Sequence, residues 1–304
     1  MQVHLDPLIL GSNPLVGVDH FISSRAIERN LRLNESARAQ VFRAARNAGA
    51  TGFTFTVTAE TCRFLKVLDE AGDLDGISLY PLVPDDQLAS TAAKDGVFSA
   101  ISGFLEGQSL LSKVRTYTSG GASVVFQDPV RAIKTYLSGE VERVRVSAPS
   151  AKVPALLLQE SPTDLAAAFQ ATDLLTEIHN HLLERCGVVP GYQTRNFARF
   201  VSFFDSCGLN SGDAIFMAPF NPIGFQMTPS REECESSLYK LRKSHVVAIS
   251  ILAGGRCTLA EAIEYLRGIK GIAAVAVGVS SINHATETFR ALGSSSISTP
   301  GAVR

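Results

Sequence analysis

Short runs of apolar residues recur along the chain, and longer stretches with apolar positions at helical spacing separate them. Eight runs have strand character, at 8–10, 52–57, 77–82, 155–158, 188–190, 214–217, 246–251 and 273–277. Several are apolar throughout instead of alternating with polar residues, which is the pattern of strands buried on both faces. The intervening amphipathic stretches predict helices at 35–48, 60–71, 163–185, 195–206, 231–243, 259–268 and 284–292. Local stop and start chemistry supports these limits: Asn34 precedes the first helix as an N-cap, Gly49 ends it, and Pro162-Thr163 opens the long one. Strand and helix alternating in this way is the signature of a parallel sheet joined by crossover helices.

Eight such strands, the first opening the chain and the last nearly closing it, predict an α/β fold of the (β/α)8 TIM-barrel type, with no GxGxxG after any strand to suggest an open dinucleotide-binding sheet. The expected organisation is a single barrel domain over residues 1–304. One interval breaks the rhythm: about 70 residues, 84–154, stand where one crossover should be. A helical piece, a Gly120-Gly121 turn, a β-like run at 123–126 and a further run at 130–137 make this an inserted segment packed on the barrel, because structureless loops of that length are uncommon in compact domains. The serine-rich stretch after Leu292 reads as a flexible tail.

Composition narrows the partners. With 45% hydrophobic and 19% charged residues the chain can bury a large core, and 28 Lys and Arg against 29 Asp and Glu leave a formal charge of −1. No global field draws nucleic acid or anionic lipid, so a small-molecule substrate is expected, with no nucleic acid, no membrane and no indication of oligomeric state. The five cysteines are scattered without a CxxC pair, which fits a reduced, cytoplasmic setting. No HExxH or HxH spacing is present, and no metal site is expected.

In a TIM barrel, chemistry belongs to the loops after the strands' C-terminal ends. After strand one lie Asn13 and His20, the latter able to exchange protons near neutral pH. Glu60 follows strand two and Glu160 follows strand four, each placed to move a proton or to stabilise a helix start. Tyr80, read at the end of strand three, is a candidate acid. Gln193 and Asn221 are candidates to orient a carbonyl or amide, and Arg195 to pair with an anionic substrate. The loops after strands seven and eight carry Gly254, Gly255 and Arg256, then Ser280 and Ser281. Glycine turns, helix N-termini, hydroxyls and a guanidinium in adjacent loops predict an anion pocket.

A resemblance adds to this reading. The run Val246-Val247-Ala248-Ile249-Ser250-Ile251-Leu252-Ala253-Gly254-Gly255-Arg256 resembles strand seven of the aldo-keto reductases, and Ala274 through Ser281 with the following 284–292 resembles their strand eight and last helix. Leu8-Ile9-Leu10-Gly11-Ser12 and Phe220-Asn221-Pro222 are similar to the family's opening strand and strand-six end. The resemblance implies the same barrel, and NADP held by its phosphate in loops seven and eight. It also implies an Asp after strand two, a Tyr about five residues on, a Lys after strand three and a His after strand four. Here those places hold Thr56 or Val57, Thr61 or Cys62, Tyr80 or Pro81, and Gln159. The reductive set is therefore not matched, and neither is the family's usual layout at 84–154.

Three functions stay open. The first is an acid–base enzyme, an isomerase or lyase acting on a small anionic or phosphorylated compound through Glu60, Glu160 or His20. The second is an NAD(P)-dependent oxidoreductase that resembles the aldo-keto reductases but lacks their tetrad. The third is a non-catalytic nucleotide-binding or partner protein.

Overall fold

The computed structural model describes residues 3, 5–12, 15, 35–84, 128–241 and 245–295. Eight parallel strands close into a barrel in chain order: β1 (Leu8–Gly11), β2 (Gly52–Thr56), β3 (Ser78–Val83), β4 (Ala155–Leu158), β5 (Val189–Gln193), β6 (Ile215–Pro219), β7 (His245–Ile249) and β8 (Ile272–Gly278), the last pairing with β1. Around them lie α1 (Glu35–Asn47), α2 (Ala59–Glu70), α3 (Pro129–Ser147), α4 (Glu160–Ala168), α5 (Thr172–His181), α6 (Phe197–Ser206), α7 (Arg231–Leu238), α8 (Leu259–Gly268) and α9 (Ile282–Ser294).

The continuous apolar runs have their explanation in two cores. Outward residues such as Leu10, Phe53, Phe55, Leu156 and Phe216 pack under the helices, while Ile9, Tyr80, Leu157, Val189, Met217, Val247 and Ala276 fill the lumen. A strand with both faces covered has no polar alternation to show. The lumen is packed: a Cβ built on Gly191 would lie 2.4 Å from Leu157 Cγ, so a glycine on one strand makes room for a leucine on its neighbour.

Several limits differ from the sequence reading. β3 continues to Val83, β5 to Gln193 and β6 to Pro219, because each keeps its ladder with the next strand past the apolar run. β7 stops at Ile249, where Ser250 turns the chain with a φ of 51°. The expected helix over 163–185 is two helices and a π-turn. Gln170 adopts φ 52°, the Ala171 N–H reaches back to the Ala166 carbonyl at 2.9 Å, and the chain restarts as α5 before a π-turn at Leu182–Cys186. This is the left-handed helix stop usually made by glycine. Within the 84–154 interval, α3 is the crossover helix between β3 and β4, begun by Asp128, whose carboxylate accepts from the Val130 N–H at 3.0 Å, with Pro129 in the first turn. The Gly120-Gly121 turn and the run at 123–126 lie outside the described residues, as does the tail after Ser295. No described helix is long and apolar enough to cross a membrane.

Candidate functional site

Parallel strands around a closed barrel place all their C-terminal ends on one rim, so loops distant in sequence meet there. The side-chain alternation set by the lumen core decides which residue of each strand faces the mouth. Leu82 and Ile249 pack on the lumen cluster, and Thr56 is the register partner of Leu82. Continuing by twos from Ile9, Leu157, Gly191, Met217 and Ala276 gives Gly11, Gln159, Gln193, Pro219 and Gly278. Together these form the floor of the mouth. Gln159 Nε2 donates to Thr56 Oγ1 at 3.1 Å, spanning β3 between them. Thr61 Oγ1 donates to the Thr56 carbonyl at 2.8 Å within a capping box that starts α2, which pins the end of β2.

One sector of the rim is clasped. Asn221, fully buried after β6, donates from Nδ2 to the Phe225 carbonyl at 2.8 Å and accepts the Phe225 N–H at 2.7 Å. The Phe225 ring in turn lies 4.7 Å beneath the Arg256 guanidinium, and Ser250 Oγ reaches Gln226 Oε1 at 3.4 Å. Gln226, Ser250 and Ala253 all hold positive φ, at 60°, 51° and 47°. Non-glycine residues adopt this region at a cost that the surrounding packing must impose.

Against this geometry, the expected site residues separate. Glu60 and Glu160 both stand in the first turns of helices at the rim, but they do not share a cavity: Glu60 pairs with Arg38 of α1, and Glu160 with Arg195 Nε at 2.7 Å. Arg195, expected to await an anion, is committed to that pair. Asn221 spends both its polar groups on the loop backbone instead of a ligand. Tyr80 is corrected most: with β3 running on to Val83, it lies in the lower lumen, fully buried, and its hydroxyl donates to Asp6 Oδ2 at 2.6 Å while accepting the Asp6 N–H at 3.0 Å. Its O–H faces the end opposite the mouth, and burial together with the Asp6 carboxylate raises its acidity constant far above the usual phenol range. Gln193 does face the mouth. Asn13 and His20 lie outside the described residues.

Loops seven and eight follow paired neighbouring strands and so sit side by side on the rim. The backbone of loop seven is nevertheless closed on itself: the N–H groups of Gly255, Arg256 and Cys257 all point at the Leu252 carbonyl, at 2.8, 3.1 and 3.2 Å. Gly254 and Gly255, at φ 69° and 85°, serve this turn. Ser281 caps α9, accepting the His284 N–H at 3.3 Å. The groups left facing outward in this sector are the Arg256 guanidinium, the Ser280 hydroxyl and the first amides of α9.

No protein-family model and no curated protein sequence matches the chain. Solved structures do match. An aldo-keto reductase of Bacillus halodurans, solved in its holo form, superposes with a TM-score of 0.57 at 13% identity, covering 95% of this chain and 87% of that one. A Pseudomonas aeruginosa protein assigned to the same reductases gives 0.56 at 15% identity, covering 95% and 90%. The fold is the aldo-keto reductase barrel.

With that fold in view, the four places where the resemblance implies Asp, Tyr, Lys and His can be assigned from strand ends. They hold Thr56, Thr61, Leu82 and Gln159. The sequence reading put Tyr80 or Pro81 at the third, two residues too early. It also missed that Thr56 and Gln159 bond to each other. Neither belongs to the residue types that signal catalysis, and their meeting depends on strand register. Asp164 was missed as well. From the second turn of α4 it accepts the Thr194 hydroxyl and, at 3.4 Å, the Arg195 N–H, tying loop five to α4. Burial pushes its carboxyl up, opposed by those donors. Asp164 also lines a groove of about 630 Å³ along α6 between α4 and α7, on the helix layer and not over the strand ends.

Proposed function

We propose that this chain is a nicotinamide-dependent oxidoreductase, taking NADP or NAD at the β7–β8 sector of the rim and working without the tyrosine-centred set of the aldo-keto reductases. The observation that carries this reading is the likeness in fold over 95% of the chain to reductases, one of them solved in a holo form. The acid–base alternative is less well supported, since Glu60 and Glu160 are each held in an ion pair and Tyr80 is turned to the far end.

The residues of the β7–β8 sector fit the cofactor's phosphates in part. Arg256, fixed by its stack on Phe225, offers N–H donors along its edge, and Ser280 and the α9 amides add neutral donors beside it. The amides of loop seven do not contribute, being turned inward. A nicotinamide bound there would supply a hydride. The chain's part is to hold the phosphate, present the ring to the mouth and orient the acceptor with neutral hydrogen bonds.

Titration of the purified protein with NADPH and NADH tests this, read by nucleotide fluorescence and by the rise in melting temperature that a native-state ligand produces. Binding of either one, weakened about tenfold by Arg256→Ala as expected for loss of one charge-assisted contact, supports the reading. Absence of binding to both overturns it. Binding without oxidation of the nucleotide across a panel of aldehydes and ketones favours the non-catalytic nucleotide-binding alternative.

A further inference from the structure

The floor of the mouth carries no ionisable side chain. Its polar members are Thr56, Gln159 and Gln193, set among Leu82, Ile249 and Pro219. The nearby charges are engaged elsewhere: Glu160 with Arg195, Glu60 with Arg38, and Asp164 with the Thr194 hydroxyl.

The hydrogen-bond inventory of the pair at its centre is incomplete. A primary carboxamide has two N–H donors and an acceptor oxygen, and a hydroxyl has one donor and two lone pairs. The bond from Gln159 Nε2 to Thr56 Oγ1 uses one N–H and one lone pair. That leaves the second Nε2–H, the Gln159 Oε1 and the Thr56 O–H without a partner among the described residues. Both side chains are only half-buried, so these groups are within reach of the mouth. Two neutral donors with an acceptor beside them match a carbonyl oxygen or a carboxamide. An anion placed there would give up its water without meeting a cation.

We infer that Gln159 and Thr56 form a recognition element for an uncharged carbonyl-bearing group, so that the ligand's neutral end rests on the floor and any phosphate stays at the Arg256 side of the rim. This rests on the mouth being the ligand site, as in the proposed function. It goes further by naming the chemistry the floor accepts and by excluding carboxylates and phosphates from it. Gln159 and Thr56 are specificity-determining here. Neither changes charge near neutral pH, so the preference is independent of pH between 6 and 9, about the range in which neither carboxamide nor hydroxyl titrates.

Benzamide and benzoate are close in size and shape and differ in charge, which makes them the probes. Their binding is followed by ligand-observed NMR on the full chain, with and without NADPH. Benzamide is expected to bind at least about tenfold more tightly than benzoate, and Gln159→Leu to weaken benzamide about tenfold. Thr56→Val, which keeps the side chain's shape and removes only the hydroxyl, is expected to weaken it too and serves if Gln159→Leu does not fold. Equal binding of the two probes, binding of neither, or benzamide affinity unchanged in both variants overturns the inference. Titrating NADPH in the same samples separates the two readings. Normal NADPH binding without a benzamide preference defeats the floor assignment alone, whereas a benzamide preference without NADPH binding defeats the oxidoreductase and leaves the floor intact.

Discussion

His179 on α5 turns its ring into the outer core, 2% exposed, stacked beside Tyr192 with Nδ1 3.0 Å from the tyrosine hydroxyl and edge-on to Phe204. Burial disfavours the charged imidazolium and lowers its pKa from 6.5 to about 4, only partly offset by Asp213. The sign follows from linkage. Above pH 6.5 the ring is neutral in both folded and unfolded chains and costs nothing. As pH falls below 6.5 the unfolded chain takes up a proton that the folded one resists, so stability declines until about pH 4. Urea denaturation across that window is expected to show the decline, and His179→Gln to flatten it. In the sequence this histidine looked like a solvent or inter-helix residue, because helical spacing does not say how deep a face is buried. Tyr80 was misjudged for a related reason: its role depends on where β3 ends, and an apolar run does not mark that residue.

At the scale of elements, caps and stops divide into those written in side chains and those written in backbone angles. Asp128-Pro129 before α3, Thr58 with Thr61 before α2 and Thr258 with Glu261 before α8 are legible chemistry. The stop at Gln170 is not, since glutamine carries no bias toward φ 52° and the helix ends there only because the chain must turn back over the barrel. Gly187 is the converse case. It closes the π-turn at φ 64°, and a Cβ there would meet nothing within 4 Å. Gly187→Ala is therefore expected to cost about 1 kcal/mol, the left-handed penalty of roughly 1–2 kcal/mol less what a stiffer unfolded chain returns, measured by chemical denaturation.

For the whole molecule, ring closure is what converts eight separate loops into one rim. It also makes the lumen the least tolerant place in the protein. Gly191→Ala pushes a methyl into Leu157 from the neighbouring strand and, unlike Gly187→Ala, cannot be relieved by solvent. The expected cost is about 2–3 kcal/mol from overpacking, seen as a lower urea midpoint, with the double variant Gly191→Ala, Leu157→Val recovering part of it.

Strand count, parallel order and the position of loops seven and eight were all readable from the chain, because burial on both faces and local capping leave marks in residue type. The partners of those loops were not. Whether an acid at a helix start meets a substrate or an arginine, and whether a glycine turn opens its amides outward or closes them on Leu252, depends on groups brought together across the barrel. The bond between Thr56 and Gln159 joins residues 103 apart on strands that are not neighbours. Hydrophobic patterning is a local property and determined the barrel, whereas hydrogen bonds across the mouth depend on register and closure, which only the folded chain decides.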